Sequence, residues 1–131
     1  MARALLLLAG AIAAVVGATL LLAPVAFSES NGIMLGADPS ALSERRAPGA
    51  ALLVTGFLLL AGAFVARLRT AALLIGALLY LAYGAARLLS LVLDGRPADG
   101  LLLAGAVELA LGAGLLAVLL RQGPEPGHAA A

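Results

Sequence analysis

Two ionisable residues, Arg87 and Glu108, lie within long apolar stretches of the sequence. A charge surrounded by hydrocarbon is costly, so each residue should face protein or water and find a partner. Both residues lie the same distance from a turn-like segment, 94–100, that separates their two stretches. At a helical rise of about 1.5 Å per residue, each is roughly 9 to 10 Å from that segment. We therefore predict a buried Arg87–Glu108 ion pair between neighbouring antiparallel helices.

Further polar residues surround Arg87 at helical spacing. Intervals of three and four residues place side chains on one helix face, and this face carries Tyr80, Tyr83, Arg87, Ser90 and Asp94. Glu108 has small residues, Gly105 and Gly112, at the same intervals, which allows close helix approach in lipid. Two interpretations stay open: an ion pair that fixes helix register, which we favour, and a polar pocket for a ligand, ion or proton.

Two more arginines, Arg45 and Arg46, stand just before Pro48. We expect them to extend to lipid headgroups while their aliphatic stems stay in the apolar layer. The alternative is that Arg46 turns inward and joins the charged pair. The candidate intramembrane polar cluster consists of Arg46, Tyr80, Tyr83, Arg87, Ser90, Asp94 and Glu108.

The composition indicates what must position these residues. The 131 residues are 63% hydrophobic and 11% charged, whereas soluble domains carry about 25% charge. So short a chain cannot hide this much apolar surface in one core. A spanning helix needs about 20 apolar residues, and we predict an all-α integral membrane four-helix bundle. Its single domain would cover 1–122, with spans at 4–26, 48–66, 70–93 and 101–120 and a disordered polar tail at 123–131.

The breaks between spans differ in length. Arg67 and Arg69 indicate a tight turn after span two, and 94–100 is rich in Gly, Pro and Asp, which are typical of turns. The long connection, 27–47, contains Asp38 and then a proline, which predicts a capped short helix over 39–46. Pro48 should end that helix and begin span two.

The arginines also predict an orientation. One side of the membrane would carry Arg3, Arg67, Arg69 and Arg121, and the other Arg45, Arg46 and Arg96. Because arginine-rich loops stay in the cytoplasm, we expect both termini there. The first apolar stretch also has features of a signal peptide, but it is long and lacks a good cleavage site. We therefore expect it to remain as a membrane helix.

Several classes of function are disfavoured. The chain has no Cys and one His, His128, which lies in the predicted tail. Thiol chemistry and an imidazole-held metal or haem in the membrane are therefore excluded, and we expect no cofactor. No basic face suits nucleic acid. No nucleophile has an adjacent base, which argues against an enzyme without deciding the question. The expected partners are membrane lipid and either a second copy or another membrane protein.

The order of motifs resembles a known family. Arg46-Ala47-Pro48-Gly49 is followed by Arg87-Leu88-Leu89-Ser90-Leu91, then by Asp94-Gly95, and finally by Glu108. Over residues 5–120 this is similar to domain of unknown function 4345, uncharacterised bacterial four-helix membrane proteins. The family pattern favours a second Gly where this chain has Ala50. The resemblance implies a four-helix protein of the bacterial inner membrane and no established activity. More distantly, the layout resembles DoxX-like proteins, some of them associated with quinone-linked redox complexes.

We expect a structural or accessory membrane component. The alternative is a bundle whose polar pocket binds or transports a lipid, a quinone or another small molecule. The packing beside Arg87 distinguishes the two, because a binding protein needs a lined cavity there and a purely structural one does not.

Overall fold

The computed structural model describes residues 1–122, which form five α-helices and no strand. Four of these helices are long and apolar enough to cross a membrane. The predicted all-α four-span fold is therefore confirmed, and the expectation of a disordered tail over 123–131 lies outside the described residues. In chain order the helices are α1 (Ala2–Leu22), α2 (Pro24–Ser30), α3 (Pro39–Phe64), α4 (Ala66–Leu93) and α5 (Asp99–Arg121).

The first span ends earlier than predicted, at Leu22 rather than at residue 26. Pro24 is the cause, because proline lacks an N–H and disfavours helical geometry in the residue before it. Ala23 accordingly leaves the helix with φ −132° and ψ 56°. Pro24 then occupies the first position of the short helix α2, where its missing N–H costs nothing. The sequence prediction missed α2.

Helix α3 begins where predicted but continues much further. The Asp38 side chain accepts a hydrogen bond from the Ala41 N–H at 2.9 Å, which confirms the predicted cap. The prediction of a separate short helix over 39–46 was wrong, because α3 continues through Pro48 to Phe64. Pro48 removes only the helical hydrogen bond to the carbonyl of Glu44. Glu44 is exposed, so water or headgroups can solvate that carbonyl.

The break between α3 and α4 is a single residue, Val65, in extended conformation with φ −101° and ψ 107°. Arg67 and Arg69 were predicted to form this turn, but both lie in the first turns of α4. The break between α4 and α5 lies at the predicted turn but covers 94–98 rather than 94–100, because α5 begins at Asp99. Gly95 adopts φ 95° there, a left-handed conformation that glycine takes without strain.

Helices α1 and α3 pack with their backbones in close contact. Gly10 lies against Gly56, and Gly17, which is further along α1, lies against Gly49, which comes earlier in α3, so the two helices are antiparallel. A Cβ atom at Gly56 would come within 2.5 Å of the backbone N of Ala14. The spacing of Gly10 and Ala14 is also typical of helix dimers in membranes, but here both residues contact α3 of the same chain.

The core lies where the four long helices meet, and each contributes one leucine that is fully buried, Leu6, Leu59, Leu73 and Leu115. Large apolar side chains also point away from the bundle, among them Leu8, Val15, Val54 and Leu78. A patch of this extent is incompatible with a water-exposed monomer and suits a lipid environment. The chain is therefore a multi-pass membrane protein.

Candidate functional site

The site is built around the predicted ion pair. Arg87 Nε donates to Glu108 Oε2 at 2.6 Å, and Arg87 Nη2 donates to Glu108 Oε1 at 3.0 Å. Two parallel hydrogen bonds between guanidinium and carboxylate form the strongest ion-pair geometry that side chains offer. The predicted contact between α4 and α5 is confirmed.

The glycines that flank Glu108 on α5 shape its surroundings. A Cβ atom at Gly105 would lie 3.2 Å from Cδ of Arg87, and one at Gly112 would lie 2.7 Å from Cγ of Leu81. Gly105 therefore leaves space for the arginine side chain as it crosses to α5. Gly112 allows the two helices to approach closely about two turns further along α5. Both contacts fit the close approach predicted from the spacing.

The two tyrosines of the α4 face have different environments. Tyr80 is buried, and its hydroxyl donates to the Ala9 carbonyl of α1 at 2.6 Å. It therefore connects α4 to α1. Tyr83 is half-buried, and its hydroxyl has no hydrogen-bond partner within residues 1–122. Tyr83 is thus the tyrosine that is available to another molecule.

A cavity of about 290 Å³ lies beside the ion pair, between the α1–α3 pair and the α4–α5 pair. Glu108, Arg87, Tyr80 and Tyr83 contribute polar groups to its wall. The side chains of Arg87 and Glu108 are 32% and 14% exposed, and both line this space. The remaining lining consists of Ile12, Ala13, Val16, Leu20, Phe27, Asn31, Ile33, Arg45, Pro48, Leu52, Leu79, Leu101, Ala104 and Val107.

Three residues of the predicted cluster lie elsewhere. Arg46 donates through Nη1 to the Leu21 carbonyl on the outside of the α1–α3 pair. Ser90 donates to Asp94 Oδ2 at 2.7 Å, and both side chains are exposed beyond the cavity. The structure therefore brings together four of the predicted residues, Tyr80, Tyr83, Arg87 and Glu108, and leaves these three outside.

Sequence reasoning missed Arg45, which lines the cavity in place of Arg46. The error followed from treating Pro48 as a helix end. In one continuous helix, Arg45, Pro48 and Leu52 are spaced by three and four residues and share a face, and all three line the cavity. Asn31 was also missed. It belongs to the connection that closes this end of the cavity, and its Nδ2 donates to the Phe27 carbonyl at 2.8 Å.

The wall chemistry permits binding more readily than catalysis. Within the described residues no group of three or more His, Asp or Glu side chains is placed to hold a metal ion. Most of the wall is aliphatic, and its polar groups come from few side chains. Such a surface is typical of sites for small molecules, in which a few polar groups orient a mainly apolar ligand.

Four apolar helices that enclose a charged pair and a cavity define a small multi-pass membrane protein with an internal polar site. The chain belongs to the family described as Domain of unknown function (DUF4345), whose model matches residues 1–120. The comparisons with curated proteins and with solved structures give no match. The distant DoxX-like resemblance stays an expectation.

Proposed function

We propose that this protein binds a small amphipathic molecule inside the membrane, in the cavity beside Arg87 and Glu108. The observation that carries this proposal is the cavity itself, about 290 Å³ in volume. Sites for small molecules start at about 300 Å³, so the space suits one head group and a short apolar portion. A bundle with a purely structural ion pair has no need for such a space.

The distribution of the lining residues supports an amphipathic ligand. The polar groups are contributed by the end of the bundle at which α3 and α5 begin, and they include Arg45, Asn31 and Glu108. The aliphatic part of the wall includes Val16, Leu52 and residues of α4 and α5. A molecule with one polar end and one apolar end satisfies both parts of the wall at once.

Native mass spectrometry from mild detergent tests the proposal directly. The wild-type protein is expected to retain a bound molecule of low mass. Ala104→Phe places a large side chain in the cavity, since Ala104 lines it, and this variant should lose the adduct. Ala110→Phe is the matched control, because Ala110 lies on the exposed side of the same helix.

The control decides how a loss is interpreted. If Ala104→Phe and Ala110→Phe lose the adduct equally, the molecule is bound on the lipid-facing surface and the proposal is wrong. Loss in Ala104→Phe alone supports the cavity. The identity of the adduct, read from its mass and fragments, would then name the ligand class.

The second candidate is the structural or accessory role expected from the composition. It is favoured by large apolar side chains along the outer face of α4, including Leu78, Leu89 and Val92, which are 61%, 59% and 80% exposed. Such side chains can contact a further membrane helix as well as lipid. If the cavity proves empty and Leu89→Ala disrupts a complex isolated from membranes, this second function is the better one.

We further propose that the protein resides in a bacterial inner membrane with both termini in the cytoplasm. The bacterial assignment rests on the family resemblance. The orientation is supported by Arg3, Arg67 and Arg121, which lie at the start of α1, the start of α4 and the end of α5, all on one side of the bundle. Positive residues favour the cytoplasmic side.

A further inference from the structure

We infer that the molecule bound in the cavity is an anion, a single-chain amphiphile whose carboxylate or phosphate head is held by Arg45 and Tyr83. This inference rests on the proposed binding function and adds the chemistry of the ligand. It follows from the balance of charge, from the free donors and from the size of the cavity.

The cavity carries an excess of positive charge. Its lining includes two arginines, Arg45 and Arg87, and one carboxylate, Glu108. Glu108 accepts two hydrogen bonds from Arg87, so this pair is neutral in sum. Arg45 has no hydrogen-bond or salt-bridge partner within residues 1–122. One positive charge therefore faces the cavity without a counter-ion from this part of the chain.

Two free polar groups of the wall, on Arg45 and Tyr83, can donate hydrogen bonds to a ligand. The Arg45 guanidinium can present two N–H groups side by side, a geometry that matches carboxylate and phosphate oxygens. The Tyr83 hydroxyl is also without a partner within residues 1–122 and can donate to a ligand in the same cavity. A cationic ligand would need a free carboxylate, and Glu108 already accepts from Arg87. The chemistry of the wall thus selects an oxyanion.

The position of Arg45 indicates how the ligand lies. Arg45 belongs to the first turns of α3, near the connection that contributes Phe27 and Asn31 to the same end of the cavity. The head would lie at this end. The chain would extend past Leu52 and Leu79. At about 290 Å³, the cavity is too small for both chains of a phospholipid, so we infer a single chain.

Binding of defined probes to the purified full-length protein tests this inference. The protein would be placed in nanodiscs of zwitterionic phosphatidylcholine, so that bulk lipid does not compete as an anion. Decanoate and decyl phosphate, whose chains are short enough for a cavity of about 290 Å³, are the anionic probes, and decanol is the neutral probe of equal chain length. Because a charged hydrogen bond is lost with the alcohol, we expect it to bind at least about tenfold more weakly. Whichever anionic probe binds more tightly identifies the head group.

Two neighbouring arginines provide the matched variants. Arg45→Gln should weaken binding of the anionic probe at least about tenfold, whereas Arg46→Gln, which removes the same charge outside the cavity, should leave it nearly unchanged. Arg45→Lys keeps the charge but lacks the paired N–H groups, so its affinity for the anionic probe should lie between those of the wild type and Arg45→Gln. If Arg45→Gln does not fold, an affinity of Arg45→Lys equal to that of the wild type would refute the paired contact with Arg45. Acetate and inorganic phosphate should not displace the probe, because they lack the chain.

The outcomes separate this inference from the proposed function. If decanol binds as tightly as the anions, or if Arg45→Gln and Arg46→Gln weaken binding equally, the anionic head is refuted while a cavity ligand stands. If acetate or phosphate displaces the probe, the site takes a soluble anion and the single-chain amphiphile is refuted. If none of the three probes binds and no adduct is retained in native mass spectrometry, the proposed function itself fails.

Discussion

Arg87 and Glu108 are 21 residues apart in the chain and meet through two hydrogen bonds, at 2.6 Å and 3.0 Å. Each lies inside a membrane-spanning helix, where an unpaired charge is costly. The contact therefore fixes the register of α4 against α5. It also leaves one flank of the pair facing the cavity.

The coupling free energy between Arg87 and Glu108 can be measured by a double-mutant cycle. Arg87→Met and Glu108→Leu should each destabilise the protein in detergent, since each leaves one buried charge unpaired. The loss is about 3–5 kcal/mol in soluble proteins and roughly 1–2 kcal/mol for polar pairs in membranes. The double variant should recover much of the loss. Unfolding in graded denaturing detergent gives the four stabilities, and single losses that simply add would contradict the pair.

Tyr80 should contribute more to stability than Tyr83. Tyr80→Phe removes the hydrogen bond from the hydroxyl to the Ala9 carbonyl and should cost about 1 kcal/mol. Tyr83→Phe removes a hydroxyl without a protein partner within residues 1–122, so stability should hardly change. Thermal unfolding of both variants in the same detergent compares them. Equal losses would mean that the Tyr80 hydrogen bond does not stabilise the bundle.

The α1–α3 contact should not tolerate an added methyl group. A Cβ atom at Gly56 would lie 2.5 Å from the backbone N of Ala14, so Gly56→Ala must move the helices apart and should cost about 1–3 kcal/mol. Gly114→Ala is the control, because its Cβ would meet only the movable end of Leu5 at 3.3 Å. Thermal unfolding should show a clear loss for Gly56→Ala alone.

Reporter fusions test the orientation. Alkaline phosphatase, which is active only outside the cytoplasm, should be inactive when fused after Gln122, at the end of α5. The same enzyme inserted after Gly36, in the exposed connection before α3, should be active. The expected pattern follows from the positive residues Arg3, Arg67 and Arg121, which lie on the side of the bundle where α1 begins and α5 ends. The opposite pattern would reverse the topology.

The sequence predicted the ion pair because depth in a membrane helix can be counted. Arg87 and Glu108 lie nearly equally far from the turn between α4 and α5, and an unpaired charge at either position would be costly in the membrane. The four spans followed from length and hydropathy alone. These features depend on spacing along one helix or one hairpin, which the sequence contains directly.

The cavity and Arg45 could not be predicted in this way. A cavity between two helix pairs depends on how far apart the pairs lie, and no spacing along one helix determines that distance. The placement of Arg45 depended on whether α3 continues through Pro48. Proline usually ends a helix, but at this position the carbonyl it leaves free belongs to the exposed residue Glu44.

The single-residue break at Val65 joins the two helix pairs of the bundle at one end, so a change of the angle between the pairs would be centred there. The α1–α3 pair and the α4–α5 pair each have close internal contacts at glycines, while Val65 joins α3 to α4 at the end remote from Arg45. With α3 about 39 Å long, a small change of angle at Val65 becomes a larger displacement at the charged end of the cavity. The hydrogen bond from the Tyr80 hydroxyl to the Ala9 carbonyl joins the α4–α5 pair to the α1–α3 pair and opposes a change of that angle.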